Sequence, residues 1–527
     1  MTSRTAPLVA AAAGVALVVG APLFGWLPLI RLPAVLVPVL AVTLVAARPW
    51  RWRADDLDAI AAWTPSRTTI GIASIVTAAA LGWIVVSRFR SGDINAVDFT
   101  VYFDRPLYQT AHGAVMFVET ADLPAFSHRS QFAVHAYYSL LLLAPLYRLA
   151  ATPYWLLSLS VIAVVLGAGH TFRIVRSVSG IDLVAAAAAL AFVLNANTAR
   201  TLLYGFHPEV LYAWFVPAAI DAAIHRRRWL FAIAVIAAAT VKEDAIFPLF
   251  GLSVTLALAV GVPPKDRWLY LAAPPAIAAV NLAGYYAWVL PLFATSSNPV
   301  YAAFWSNYGS TPVRALFGML SRPLDVARSV LTSGLLRVLL PHALLPLAGW
   351  RWVLGILPLV VLYGASANVQ IRDFGIYYSI VAVPFLVPAS AFGALAVARA
   401  LLGREAPARI AAAAMVALAA LLVYGDRAGY SLRPWRPEVA AAPRVRERLA
   451  SERAILVQSA LYPHTGYDPR VVLLTRETLG DAKYSGAPTL LAPGLDAYPF
   501  AKGELDALAA GGRPTAADGG IVVVRRR

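Results

Sequence analysis

The chain has 527 residues, 60% of them hydrophobic and only 14% charged, with a formal net charge of +16 and a mean hydropathy of +0.67. A soluble domain carries about 25% charged residues, so most of this surface cannot face water. The chain contains no cysteine, which excludes disulfides, thiolate metal sites and cysteine nucleophiles. In a chain this apolar the positive charge marks cytoplasmic loops first and anionic lipid or phosphate ligands second; no nucleic-acid partner is expected. Only four of the 44 basic residues are lysines, and with the heavy alanine usage this reads as a GC-rich bacterial coding bias.

A spanning helix needs about 20 mostly apolar residues. Stretches of that character run over 8–28, 33–48, 67–88, 131–149, 153–172, 182–203, 208–224, 229–241 with 245–262, 268–292, 335–350, 352–366, 376–401 and 408–424. The expected fold is an all-α polytopic membrane protein of about 11–13 transmembrane helices. The first span is expected to be an uncleaved helix rather than a removed signal peptide. Residues 1–66 form an N-terminal helical hairpin and cytoplasmic loop, 67–424 a transmembrane core, and 425–527 a small tail.

Basic clusters orient the spans. Arg51 and Arg53, Arg173 and Arg176, Arg226 to Arg228, Lys265 and Arg267, and Arg404 with Arg409 mark the cytoplasmic side. The turn Phe206–Glu209, the turn Lys242–Asp244, loop 293–334 and the tail then fall outside. One conflict stands: three spans lie between Arg53 and Arg173, where an even number is needed. Either 131–149 does not cross fully or an N-terminal assignment is wrong.

Residues 89–130 mix acidic and aromatic side chains and are long enough for interfacial helices. Loop 293–334 joins Tyr301, Trp305 and Tyr308 to Arg314, Arg322 and Arg328, arginines that would attract an anion if the loop lies outside. After Pro434, Pro437 and Pro443 the pattern becomes one of soluble structure. A helix is expected over 444–452, and short strands at Ala454–Gln458, Val471–Leu474, Thr489–Leu491 and Ile521–Val524. This makes a small extracytoplasmic α/β unit that leans on the bundle.

Ionisable groups in or at the mouth of a membrane bundle are costly, so each is a functional candidate. Asp98 and Asp104 follow the third span with His112 beyond them; a carboxylate there suits a general base or a cation ligand, whereas Asp98 could instead cap an interfacial helix. His207 and Glu209 flank Pro208 at a helix start, a pairing that suits a divalent metal or a proton relay, with helix capping by Glu209 as the alternative. Lys242, Glu243 and Asp244 interrupt an apolar run and must pair with each other or line water.

These stretches resemble the bacterial membrane family of domain of unknown function 2079. The matching segments are Asp98-Phe-Thr-Val-Tyr102, Thr110-Ala-His112-Gly113, Phe132-Ala-Val-His135, Leu143-Ala-Pro145-Leu-Tyr147, Phe206-His207-Pro208-Glu209, Val241-Lys242-Glu243-Asp244, Tyr377-Tyr378-Ser379, Pro384-Phe385 and Ser459-Ala-Leu-Tyr-Pro463-His464. One departure is Tyr377, at a position where such proteins often carry His. The family is similar in layout to the C-superfamily (GT-C) glycosyltransferases, which take sugars from polyprenyl-phosphate carriers. That resemblance implies a transferase in the bacterial plasma membrane acting on its outer face, with Asp98 catalytic. Asp104, His112, Lys242 and Arg314 would bind substrate, and His207, Glu209, Glu243 and Asp244 would hold a possible Mg²⁺ or Mn²⁺. The rival readings are a transporter or lipid flippase, and a non-catalytic membrane scaffold.

Overall fold

A computed structural model describes residues 64–118, 130–294, 300–342, 344–402, 430, 432–511 and 513–525. The expected spans 8–28, 33–48 and 408–424 lie outside these residues. Among the described residues, six helices are long and apolar enough to cross a membrane: Arg67–Arg90, Tyr154–Ser179, Asp182–Tyr204, Glu243–Val260, Trp268–Phe293 and Tyr378–Val397. Three shorter apolar helices, Tyr138–Leu149, Arg228–Ala239 and Trp350–Gly364, join them.

Helices α1 (Arg67–Arg90), α2 (Tyr154–Ser179), α3 (Asp182–Leu194) and α4 (Ala196–Tyr204) pack with α5 (Tyr212–Ile224) around a shared apolar core. A Cβ on Gly167 of α2 would lie 2.0 Å from the carbonyl oxygen of Ala213, so only glycine permits this approach. Small residues at such contacts let helix backbones meet where no hydrophobic drive separates helix from lipid.

Ion pairs fix which helix ends lie together. Arg176 pairs with Asp182 at 2.6 Å, closing the α2–α3 turn. Arg228 pairs with Asp266 at 2.6 Å. Those two residues begin α6 (Arg228–Ala239) and follow the helix containing α7 (Ile246–Thr255), so the two helices form an antiparallel hairpin. The basic turns therefore share one end of the bundle. Tyr204, Lys242 and Asp244 lie at the opposite end, where the turns Gly205–Leu211 and Thr240–Ala245 meet.

Two sequence expectations change. Segment 131–149 is not a span: it breaks into 3-10 turns at Gln131–Ala133 and Tyr138–Leu143 and a short helix, Ala144–Leu149. The Tyr138–Leu149 run reaches only ~18 Å, well short of a ~30 Å hydrocarbon core. Removing it leaves the even number of crossings that the basic clusters demand. The stretch 335–366 is a hairpin of short pieces rather than two regular spans, broken around Pro341, Pro346, Gly349 and Gly355. Its two ends are held at the same level, with Gly334 N–H donating to Arg372 O at 3.1 Å and Ser329 Oγ to Gly364 O at 2.6 Å. Its tip lies backbone-to-backbone on α8 (Val383–Leu402), where Gly349 meets Ala389 and Gly393 meets Leu345.

The tail folds as helix α9 (Pro437–Arg448) and a five-stranded sheet of order β2-β1-β3-β5-β4: β1 Ile455–Val457, β2 Val471–Leu473, β3 Pro488–Leu491, β4 Arg513–Asp518 and β5 Ile521–Arg525. β1 runs parallel to β2 and β3, while β5 is antiparallel to β3 and β4. β4, the strand the sequence did not announce, is an edge strand carrying Pro514, where the missing N–H costs no ladder bond. The predicted helix starts earlier than expected, at Pro437, because Pro suits a first helical turn. The unit docks on the bundle through one shared cluster that joins Val97, Val101 and Val118 to Ala441, Leu461 and Tyr462.

Candidate functional site

Between α1 and the unit lies the polar segment that carries Asp98. Asn95 ends the turn after α1, and its backbone N–H donates to Tyr204 O at 2.9 Å. Its side-chain oxygen accepts from the Asp98 N–H at 3.0 Å. Capping thus falls to Asn95, not Asp98, and the Asp98 carboxylate is left for other partners. Residues Asp98–Asp104 then form a π-helical turn, a distortion frequent where side chains must be re-aimed. Tyr204 donates its hydroxyl to Asp98 Oδ2 and accepts from Asn95 Nδ2 at 2.5 Å. The other Asp98 oxygen engages no side chain among the described residues, and Asp98 is half-buried while its neighbours Phe99 and Thr100 are buried. Burial raises the Asp98 pKa above the usual carboxylate value, opposed by the Tyr204 hydrogen bond and by nearby His207.

His207 and Glu209 follow α4 on an extended turn that begins at Gly205, whose φ of +120° few other residues tolerate. His207 Nδ1 donates to one Glu209 oxygen, and Lys242 Nζ lies 2.8 Å from the other. Lys242 also approaches Asp244 Oδ2 at 3.7 Å, and Tyr212 donates to Asp244 Oδ1 at 3.4 Å. Burial disfavours the Lys242 ammonium, yet Glu209 and Asp244 hold it well above the usual lysine range. Burial likewise opposes charge on Glu209, but His207 and Lys242 outweigh it and keep the carboxylate ionised. Burial lowers the His207 pKa below the usual histidine value, opposed by Glu209.

Glu243 points the other way. It accepts from His135 Nδ1 at 2.7 Å and from the Ala136 N–H at 2.9 Å, pinning the segment at 131–137 to the Lys242 turn. Asp104 faces the tail: Tyr147 and Tyr467 donate to its Oδ1 at 2.8 and 2.9 Å. Burial raises its pKa to about 7 against those two bonds. Next to it, Arg105 donates to Asp468 O at 2.7 Å and to Val471 O at 3.3 Å and lies over the Tyr462 ring. Asp104 and Arg105 thus anchor the C-terminal unit. His112 is exposed, with its ring bonded to Tyr108 O at 2.8 Å. Arg314 is exposed on helix Pro312–Ser321 and bonds Ser310 at 3.4 Å; none of its contacts reaches the Asp98 cluster.

The nine candidates therefore divide. Asp98, His207, Glu209, Lys242 and Asp244 converge, Glu243 and Asp104 brace the surrounding backbone, and His112 and Arg314 stand apart. The four expected metal ligands do not fit a divalent ion as arranged. Lys242 sits between Glu209 and Asp244 where a cation would go, Glu243 is turned to His135, and no group of three metal-competent ligands forms among the described residues. Residues that the sequence did not offer as site candidates complete the cluster. Tyr377 stacks on His207 with ring centroids 3.3 Å apart, and its hydroxyl donates to Tyr378 at 3.0 Å. Tyr204 lies 5.4 Å from the Tyr377 ring. Tyrosines carry no charge, so a search for ionisable clusters passes over them.

The family described as "Predicted membrane protein (DUF2079)" matches residues 94–435, about two-thirds of the chain. The chain belongs to the DUF2079 family. Every member of the convergent cluster, from Asn95 to Tyr378, falls within the DUF2079 match, and the C-terminal unit falls outside it. Among curated proteins no relative matches. Among solved structures the chain is similar to ArnT from Cupriavidus metallidurans bound to undecaprenyl phosphate, at TM-score 0.50 and 13% identity, over 87% of this chain and 98% of that one. ArnT from the same organism in the apo state gives TM-score 0.47 over the same shares, again at 13% identity. This DUF2079 protein is thus a helical membrane protein whose fold is similar to that of ArnT.

Proposed function

We propose that the protein is a glycosyltransferase of the bacterial plasma membrane that uses a polyprenyl-phosphate-linked sugar on the extracytoplasmic face. The observation that carries this reading is Asp98: a half-buried carboxylate with one oxygen fixed by Tyr204 and the other open, near the His207 turn, at the end of the bundle where the C-terminal unit docks. The basic turns at the opposite end, read as cytoplasmic by their charge, support an outward-facing Asp98.

In the reaction, Asp98 accepts the proton of an acceptor hydroxyl as its oxygen bonds to the anomeric carbon. The bond from that carbon to the phosphate oxygen breaks, and the electron pair leaves with the polyprenyl phosphate. A raised pKa makes Asp98 a stronger base than a solvated carboxylate, provided it is ionised at the working pH. Tyr204 fixes its rotamer, and the Lys242–Glu209–His207–Tyr377 chain holds the two turns around it. The ArnT-like fold, whose solved example carries undecaprenyl phosphate, supports the carrier class.

The test is transfer of labelled sugar from a polyprenyl-phosphate sugar to acceptor by the purified full-length protein. Labelled product that depends on both substrates supports the reading. Substrate accumulation inside proteoliposomes without any new glycosidic bond would replace it with transport.

A further inference from the structure

We infer that Arg200 and Arg337 together form the subsite for a phosphate group, one helical turn deeper in the bundle than Asp98. The inference rests on the glycosyltransferase reading and deepens it by naming where the carrier's charge is held. Arg200 is on α4 four residues before Tyr204, so the two share a face of the helix. Arg337 is on the helix Leu335–Leu339, at the entry of the broken hairpin. Asn197, in the turn before Arg200, donates its side chain to Val338 O at 3.2 Å and so ties the two elements together. That bond sets Arg337, the neighbour of Val338, beside the turn of α4 that carries Arg200.

Among the described residues neither arginine meets a counter-charge, although both belong to the packed bundle. At the other bundle end, Arg173, Arg176 and Arg228 each meet a carboxylate: Asp221, Asp182 and Asp266. Arg433 likewise meets Asp93. Arg200 and Arg337 are in no ion pair among the described residues; the Arg200 guanidinium has one long bond, to Asn197 Oδ1 at 3.4 Å. Two like charges held together next to apolar surface repel, and an anion placed between them turns repulsion into attraction. Planar guanidiniums match phosphate oxygens two at a time.

The surroundings point to a phosphate carried on a lipid. Leu336 and Leu340, on either side of Arg337, are 62% and 42% exposed on a hairpin packed within the apolar part of the bundle. A prenyl chain lying along them puts its phosphate at the arginines. Arg200 and Tyr204 then align the phosphate with Asp98 along one helix face. This places the leaving group's cations on Arg200 and Arg337, in preference to Lys242, whose charge is already met by Glu209 and Asp244.

The test measures binding of a polyprenyl phosphate to the full-length protein in detergent by native mass spectrometry, with polyprenol and inorganic phosphate as companion probes. The expected result is that polyprenol binds at least tenfold more weakly than polyprenyl phosphate, and that Arg200→Ala and Arg337→Ala each weaken polyprenyl phosphate at least tenfold. Arg200→Lys and Arg337→Lys, which keep the charge, lose less and show that the fold is intact. Alanine variants that bind polyprenyl phosphate like the parent overturn the subsite, even if the parent transfers sugar. Inorganic phosphate that displaces polyprenyl phosphate at equal concentration overturns the lipid as the source of the phosphate. A parent protein that transfers no sugar but still binds through these arginines removes the enzymatic reading and leaves the phosphate site standing.

Discussion

Tyr377 lies flat on the imidazole of His207, with ring planes 12° apart. The contact joins the start of the last described bundle helix to the turn after α4, so it aligns two segments of the cluster around Asp98. Tyr377→Phe keeps the ring and should leave sugar transfer within about threefold, a loss under the 1.4 kcal/mol that equals tenfold. Tyr377→Ala removes the stacking, worth about 0.5–1.5 kcal/mol beyond area burial. It should lower kcat/KM roughly tenfold. Steady-state kinetics on both variants separates ring from hydroxyl.

Lys242 and Glu209 are buried and 2.8 Å apart, so each compensates the other. Lys242→Met leaves a buried carboxylate beside Asp244, and Glu209→Gln leaves a buried ammonium with less opposing charge. Each single change should cost on the order of 3–5 kcal/mol of stability. Lys242→Met combined with Glu209→Gln should cost clearly less than the sum, because no uncompensated charge remains from this pair. Thermal unfolding of the four proteins in one detergent measures the coupling.

Asp104 gives a pH signature. Its ordinary value is 3.8, and burial lifts it to about 7 in the folded chain. Between those values the folded state keeps a proton that the unfolded state has lost. The stabilisation from this group is therefore full below pH 3.8, falls as pH rises towards 7, and is gone above it. Asp104→Asn should flatten that part of the curve of melting temperature against pH. Limited proteolysis of the C-terminal unit should follow the same window, since Tyr467 and Arg105 link Asp104 to it.

Gly355 marks the closest approach between the hairpin and α7. A Cβ there would lie 2.2 Å from Thr255 Oγ1 and 2.6 Å from the Phe385 ring. Gly355→Ala should destabilise the protein by about 1–3 kcal/mol through overpacking. Gly71→Ala, on an open face of α1 with nothing within 4 Å, should be neutral or slightly stabilising. Melting temperatures of the pair test the packing.

Hydropathy alone reveals the membrane bundle, because spans such as Tyr154–Ser179 and Trp268–Phe293 are long and nearly free of charge. It fails at 131–149 and 335–366, where composition is apolar but prolines, glycines and tertiary bonds such as Ser139 N–H to Thr240 O break the helices. Hydropathy measures how apolar a stretch is, and not whether its backbone stays helical. Charge placement in the sequence brings out Asp98, His207, Glu209, Lys242 and Asp244, which do converge. Their partners are not legible in the same way. Tyr204, Tyr377 and Tyr378 are neutral, and the Glu243 bond to His135 joins residues 108 apart in the chain. Arg200 is hidden inside a span that the eye reads as uniformly apolar.

The most direct test is sugar transfer by Asp98→Asn, a change of almost the same shape that removes the basic oxygen while retaining a group able to accept the Tyr204 hydrogen bond. The account predicts that polyprenyl phosphate still binds and transfer falls by at least about 100-fold, the low end of what a general base contributes. Transfer at the parental rate by a purified, fully folded Asp98→Asn protein would contradict it.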